Sequence, residues 1–516
     1  MSGFSPRMMD ALNFAALMPL DSLVVDWLEQ LTSGLDERHP DGDAWTTTWA
    51  EITGHDVLRP GDADGIVRLS PHVAGALLDR MDEEETAGYV DRLDAWALER
   101  MEADDLTDSR RLAAFAEFVA YHVVVSPSVA RRALYYAREL EGRLDLTAQL
   151  HFAVALRDSF RTLVERQPER SAWRDDLSTA LNCVGDVSRK SGDLRAAREA
   201  YAESLDIRRG LVAEHPGDTE FRRDVTVCLD RLGDLAVKQG DLDEARTAYE
   251  ESVAISRELL DSEPGRIGRY QDLATGLDRL GDLARARGDW VAAAQPYAEA
   301  LGIRRAVLAQ EPNDPARRRA LLVSLDRMAE LADECGDLKM AHESYNEALS
   351  ISRALVERDP RNAHWQEDLA KSLDQVWGVA RARGDLDAAH EAGEEALAIR
   401  RRLVEHDPDN VDWLYGLSAS LDRVADLAMA REDFAAARQA YAESMGICGG
   451  LVSRDTTNIG WQRDLAVAAA RLWNLDRDDM LLTTAREILQ SLADRGFAND
   501  ADLDMIAQID GLLASE

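Results

Sequence analysis

Residues 221–268 read FRRDVTVCLDRLGDLAVKQGDLDEARTAYEESVAISRELLDSEPGRIG, and the dipeptide Gly240-Asp241 lies near their centre. The same dipeptide stands at Gly192-Asp193, Gly288-Asp289, Gly336-Asp337 and Gly384-Asp385, and Glu432-Asp433 is a variant of it. Each step is 48 residues, and Pro168, Pro216, Pro264, Pro312, Pro360 and Pro408 keep the same step. A fixed period of this length marks a solenoid of stacked units.

One unit shows how the period folds. Val225, Leu229, Leu232 and Leu235 are spaced by four, three and three, which puts them on one helical face. Gly240 stands where a helix C-terminus favours a left-handed residue, and Asp241 can cap the next helix, with Glu244 completing a capping box. Ala245, Tyr249, Ser252, Ile255 and Leu259 give the stripe of a second helix, and Pro264 closes the unit. Such a hairpin cannot bury both faces alone, so stacking must supply the missing surface. Full units start at residues 173, 221, 269, 317, 365 and 413; a degenerate unit spans 125–172, and an eroded one starts at 461.

The small–aromatic–small pattern of Gly233, Gly240, Ala245, Tyr249 and Ser252 resembles the tetratricopeptide repeat (TPR), over roughly residues 125–495. The departure is a unit of 48 residues against the usual 34 or so. Similar long units occur in kinesin light chains and in bacterial signalling and conflict-system proteins. The resemblance implies an all-α fold, a right-handed TPR-like α-solenoid. An irregular helical domain or cap over residues 1–124 precedes it, and a cap over 496–516 closes it. It also implies a protein–protein interaction scaffold or sensor subunit, not an enzyme, with helix A of each unit lining a concave groove.

Carried onto this chain, the groove positions form two columns. The first is Asn182, Asp230, Asp278, Asp326, Asp374 and Asp422; the second is Asp186, Asp234, Asp282, Glu330, Gly378 and Asp426. Four residues separate them, so they share a helical face. One reading is an acidic groove for a protein or peptide partner rich in arginine or lysine. The other is an internal ladder, with these acids paired to Arg231, Arg279, Arg327 and Arg423 or to Arg189, Arg285 and Arg381. A further column, Arg209, Arg257, Arg305, Arg353 and Arg401, is expected to bridge units or face solvent.

The fifth unit breaks two columns together. Trp377 replaces the small residue found at Gly185, Gly233, Gly281, Ala329 and Ala425, and Gly393 replaces the ring found at Tyr201, Tyr249, Tyr297, Tyr345 and Tyr441. Interiors are close-packed, so the indole of Trp377 is expected to fill the space over Gly393. Trp473 falls in the same small column with no matching glycine, which predicts that the last unit packs differently, against the helix near 500–514.

Outside the repeats, helices are predicted near 6–18, 20–34, 43–53, 70–81, 84–101 and 107–124, with loops over 35–44 and 55–69. The formal net charge of −37 disfavours nucleic-acid phosphate as a partner. Cys183, Cys228, Cys335 and Cys448 are far apart with no CxxC spacing, which suits a reducing compartment. The apolar run from Leu12 to Leu28 is interrupted by Asp21 and Asp26, so neither a membrane span nor a secretory signal is expected, and the chain reads as cytoplasmic. No metal or cofactor motif is recognised: Asp62, Asp64 and Gly65 match only part of a calcium loop, and no phosphate-binding loop is present. The alternative function is an effector or enzyme with its site in residues 1–124, for which His55, Asp56, His72 and His122 are the polar candidates. The sequence leaves the oligomeric state open.

Overall fold

The computed structural model describes residues 4–20, 23–33, 45–55, 57–60, 66–102, 109–126, 129–139 and 146–514. The chain divides into two compact units, Met1–Pro264 and Gly265–Glu516.

The first unit opens with α1 (Pro6–Ala16), β1 (Leu23–Val24), α2 (Val25–Ser33), α3 (Trp45–Gly54), β2 (Leu58–Pro60), β3 (Ile66–Leu69), α4 (Pro71–Leu78), α5 (Glu83–Glu102) and α6 (Ser109–Val125). The three strands form an antiparallel sheet in the order β1-β3-β2. This corrects two expectations: residues 55–69 hold two strands rather than a loop, and the helix expected over 20–34 begins only after a strand. The reason is visible in β3, where Val67 and Leu69 point inward in alternation while Ile66 and Arg68 are only half-buried. Four residues are too few for that alternation to stand out in a sequence where Pro60-Gly61 reads as a turn signal. The loop expected over 35–44 lies outside the described residues, as do Asp56, Asp62 and Asp64.

Helices α7 (Ala130–Glu139), α8 (Leu146–Arg166), α9 (Ser171–Ser191), α10 (Leu194–Glu214), α11 (Thr219–Gln239) and α12 (Leu242–Ser262) follow as antiparallel neighbours. One hydrophobic cluster runs from Met8 to Ala200, so the N-terminal elements and the first hairpins share a core. Its aromatic centre joins Trp27, Trp96, Phe115 and Phe118 through tilted and edge-to-face contacts.

The second unit continues the pattern with α13 (Ile267–Ala286), α14 (Trp290–Gln310), α15 (Pro315–Glu334), α16 (Leu338–Arg358), α17 (Ala363–Ala382) and α18 (Leu386–His406). Helices α19 (Val411–Ala430), α20 (Phe434–Arg454), α21 (Ile459–Asp476), α22 (Asp479–Asp494) and α23 (Asp500–Leu513) complete it. Within each unit every hairpin packs on the next, the arrangement of an α-solenoid. Among the described residues, no helix is long and apolar enough to cross a membrane.

The recurring turn is built from two residues. Gly192, Gly240, Gly288, Gly336 and Gly384 take φ between 72° and 87°, the left-handed region open to glycine. The aspartate that follows caps the next helix; Asp241 Oδ1, for example, accepts from the Glu244 N–H at 3.0 Å. A cap of this kind contributes about 1 kcal/mol. The Glu244 side chain does not close a capping box but reaches Arg198 of the preceding hairpin at 2.5 Å. Glu432 enters the left-handed region at φ 62° without glycine's freedom.

The small and aromatic columns meet face to face. A β-carbon at Gly185, Gly233 or Gly281 would overlap the ring of Tyr201, Tyr249 or Tyr297, so only glycine lets the ring lie that close to helix A. In the fifth unit the contact is inverted. Trp377 is 7% exposed, and a β-carbon built at Gly393 would stand 3.2 Å from its Cδ1 and 3.5 Å from its Nε1. In the last hairpin Trp473 joins Leu489, Ile506 and Ile509 in a cluster that ties α21 and α22 to α23.

Candidate functional site

The two acidic columns lie on helix A of each hairpin, and the structure ties most of them into a ladder. Asp186 accepts from Arg231 Nε and Nη2 at 3.1 and 3.0 Å. Asp282 accepts from Arg327 Nε at 3.0 Å and Nη2 at 3.1 Å, while Arg327 Nη1 reaches Asp278 at 3.4 Å. Arg423 Nη1 stands 3.2 Å from Asp374, and Arg471 bridges Asp422 and Asp426 at 3.7 and 3.5 Å. Glu330 pairs with Arg285 of the hairpin before it. Asp230 and Asp234 each have partners of their own.

The tyrosine column closes the same network from helix B. The hydroxyl of Tyr201 donates to Asp186 at 2.7 Å, Tyr249 to Asp234 at 2.7 Å, Tyr297 to Asp282 at 2.6 Å and Tyr441 to Asp426 at 2.5 Å. Burial, with the adjacent carboxylate, pushes the phenols of Tyr201, Tyr297 and Tyr441 up, so they remain donors. This explains a third break in the fifth unit. Where the tyrosine becomes Gly393, its acceptor becomes Gly378, because no hydroxyl is left to bond.

Sequence reading missed one column, the residue before the second arginine column. It reads Arg208, Ser256, Arg304, Ser352, Arg400 and Cys448, so arginine recurs in alternate units. Arg208 and Arg400 are each 3% exposed. Arg208 pairs with Asp175 and, at 2.8 Å, with Asp224. Arg304 Nη2 reaches Asp278 at 2.6 Å, and Arg400 Nη1 reaches Asp374 at 2.7 Å and Ser420 Oγ at 2.5 Å. Gly416 admits Arg400: a β-carbon there would stand 2.8 Å from its Nε. A search at period 96 would have found this alternation. The neighbouring column Arg209, Arg305, Arg353 and Arg401 bridges to Glu251, Glu347, Glu395 and Glu443 of the next hairpin at 2.5 to 2.7 Å, with both partners exposed.

Among the described residues, a cavity opens on the helix-A face in each unit. In the first unit about 310 Å³ is lined by Asn182, Asp186, Arg208, Asp224 and Arg231 among others. In the second unit about 610 Å³ lies between α17 and α19, lined by Glu367, Asp368, Lys371, Asp374, Gln375 and Arg423 among others. These cavities mix both signs of charge, so the face is not the uniformly acidic surface that the two columns suggest.

The N-terminal polar candidates do not converge. His55 packs edge-on to Phe4, His72 is exposed on α4, and Asp56 lies outside the described residues. His122 is buried, with Nε2 2.5 Å from Asp94; Ser126 Oγ donates to the other oxygen of Asp94 at 2.8 Å. The carboxylate therefore stands between histidine and serine, and the direct contact needed to activate a hydroxyl is not made. The four cysteines are free thiols.

Tetratricopeptide-repeat family models match residues 176–258 and 378–411. No curated protein sequence matches the chain. Among solved structures, BtubC from P. vanneervenii is 22% identical over 50% of this chain and 92% of its own, with a TM-score of 0.41. A signal transduction ATPase with a tetratricopeptide repeat sensor, from Pyrococcus horikoshii, is 11% identical over 94% of this chain and 66% of its own, with a TM-score of 0.38. A tetratricopeptide repeat protein from Parabacteroides merdae is 12% identical over 66% of this chain and 98% of its own, with a TM-score of 0.32. The family models fall on hairpins that share the left-handed turn and the aspartate cap, and over these residues the chain is similar to the tetratricopeptide repeat.

Proposed function

We propose that this chain is a non-catalytic interaction scaffold or sensor subunit whose helix-A face binds a partner protein or peptide in a groove. One observation carries this reading. Positions that hold the hairpins together repeat almost unchanged, whereas a half-buried to exposed helix-A position reads Thr179, Val227, Thr275, Val323, Lys371 and Ala419. Stacking requires sameness from unit to unit; a single asymmetric partner is read by difference. Tyr415, 43% exposed beside the larger cavity, adds an aromatic anchor of the kind that dominates binding energy at interfaces.

The ladder modifies the acidic-groove expectation. Carboxylates already bound to arginine and tyrosine contribute little free charge, so Asp278, Asp282, Asp374 and Asp426 act first in holding the face rigid. A rigid, prearranged face loses little entropy on binding. The experiment is affinity capture of the partner from the native source, followed by calorimetric titration against Val323→Glu and Tyr415→Ala, with Arg305→Ala on helix B as control. At least tenfold weaker binding by the first two variants, with the control unchanged, is the expected result. Unchanged binding by both helix-A variants refutes the reading.

A further inference from the structure

Among the described residues of the second unit, the ladder is broken at Asp326. Elsewhere on the helix-A face, an acid meets an arginine of the next hairpin at Arg231, Arg327, Arg423 and Arg471. In alternate units its own helix B adds another, Arg304 for Asp278 and Arg400 for Asp374. Asp326 has neither. The next hairpin presents Gln375 at the arginine position, and its own helix B presents Ser352, which is occupied with Ser372 at 2.8 Å. Oδ1 is shielded and without a hydrogen-bond partner in Asp278, Asp374 and Asp422 as well as in Asp326, but in those three the other oxygen faces an arginine, and in Asp326 it does not. Glu330, paired with Arg285, and Asp368, paired with Arg319 at 3.0 Å, add like charge beside it, and Arg327 on its own helix opposes them.

This deficit differs from the other breaks in the fifth unit. Trp377 is compensated by Gly393, and Gly378 by the loss of the tyrosine. Nothing in the second unit compensates Asp326. An uncompensated shielded carboxylate destabilises a fold, and such local inconsistency is characteristic of binding sites. Gln375, which stands where the other rungs have arginine, lines the cavity of about 610 Å³ together with Asp368 and with Arg319, Lys371 and Arg423; Asp326 itself lies outside that lining.

We propose that this junction between the fourth and fifth units receives an arginine side chain of the partner, which supplies the missing rung at Asp326. The inference rests on the groove reading above and names the chemistry that one point of the groove recognises. The position is already shaped for a guanidinium, since arginine occupies it in the neighbouring rungs, and Gln375 is too short to reach as far. A guanidinium brings five donors and no acceptor, which suits shielded carboxylate oxygens. A chain of net charge −37 also attracts a basic segment from a distance.

The test uses the full-length protein and a fluorescein-labelled glycine–serine heptapeptide with one central arginine. The same peptide with citrulline, the neutral isostere, is the comparison. The arginine peptide is expected to bind at least tenfold tighter than the citrulline peptide. Asp326→Asn and Gln375→Arg should each reduce its affinity to the citrulline level. Gln375→Arg supplies the rung internally, so it should raise the melting temperature while it removes binding, a combination that misfolding cannot produce. Equal affinity for the two peptides, or an arginine-peptide affinity that survives Gln375→Arg, overturns the inference. In that event, partner binding still lost on Val323→Glu leaves the groove reading standing, so the two failures are distinguishable.

Discussion

Exchanging Trp377 and Gly393 for the residues of the other units tests whether the fifth hairpin is a compensated variant of one packing scheme. Trp377 is 7% exposed. Truncating a buried tryptophan costs about 3–5 kcal/mol, and glycine within a helix adds roughly 1 kcal/mol. Trp377→Gly alone should therefore lose about 4–6 kcal/mol. Gly393→Tyr alone drives a ring toward the indole, whose Cδ1 already stands 3.2 Å from where a β-carbon would lie. Overpacking of this kind costs about 1–3 kcal/mol or more. The double variant rebuilds the glycine–tyrosine contact seen at Gly185 and Tyr201. Its remaining cost is the new hydroxyl, which has no acceptor at Gly378; a shielded, unpaired hydroxyl costs roughly 1–3 kcal/mol. The expected coupling between the two substitutions is about 4 kcal/mol, and Gly378→Asp added to the pair should recover about 1 kcal/mol. A long repeat array need not unfold in one step. The cycle is therefore read both from urea midpoints by circular dichroism and from amide exchange in α17 and α18. A double variant as unstable as the sum of the single ones refutes the compensation.

Asp326 gives a pH prediction. Burial first, then Glu330 and Asp368, raise its carboxyl to about 7, so the folded state holds its proton where the unfolded chain has released it. Its stability contribution is full below the unfolded value near 3.9 and is lost as pH rises through about 7, so stability should fall across that window. Asp326→Asn should flatten the slope and, at pH 8, stabilise the protein by roughly 2–4 kcal/mol in thermal melts. Arg400→Met should destabilise by about 1–3 kcal/mol in urea, because it removes the buried partner that Asp374 and Glu367 share and leaves them Arg423 and Lys371 alone. Glu432→Gly should stabilise by about 1 kcal/mol, since it relieves a left-handed conformation at φ 62° that the other turns give to glycine.

Much of the solenoid was legible because its signals are local and repeated. The helix-A stripe, Gly240 as a left-handed terminus and Asp241 as a cap each follow from spacing a few residues apart. The small sheet was not legible, since Leu23, Val67 and Leu69 come together from distant segments and each strand is too short to show its alternation. For the candidate site, sequence supplied the columns but not their partners. Asp186, Asp282 and Asp426 look like a free acidic face when only helix A is read. The tyrosine hydroxyls and arginines that bind them sit 15 and 45 residues away, and only coordinates show that the three columns converge. Glu244 is a similar case, since a capping-box sequence was diverted to Arg198 by a neighbour that local reading does not see. The alternating Arg208, Arg304 and Arg400 were overlooked because a 48-residue comparison averages arginine with serine.

The most direct test of a solenoid that carries its recognition in one divergent hairpin is removal of that hairpin, residues 365–412, one full period. The deletion brings Arg423 into the column opposite Asp326 and Glu330 and joins two regular units. The expected protein keeps its helicity per residue at 222 nm, melts cooperatively at a temperature no lower than the parent, and no longer distinguishes the arginine peptide from its citrulline form. Loss of cooperative folding on this deletion would contradict a chain built from interchangeable stacked units.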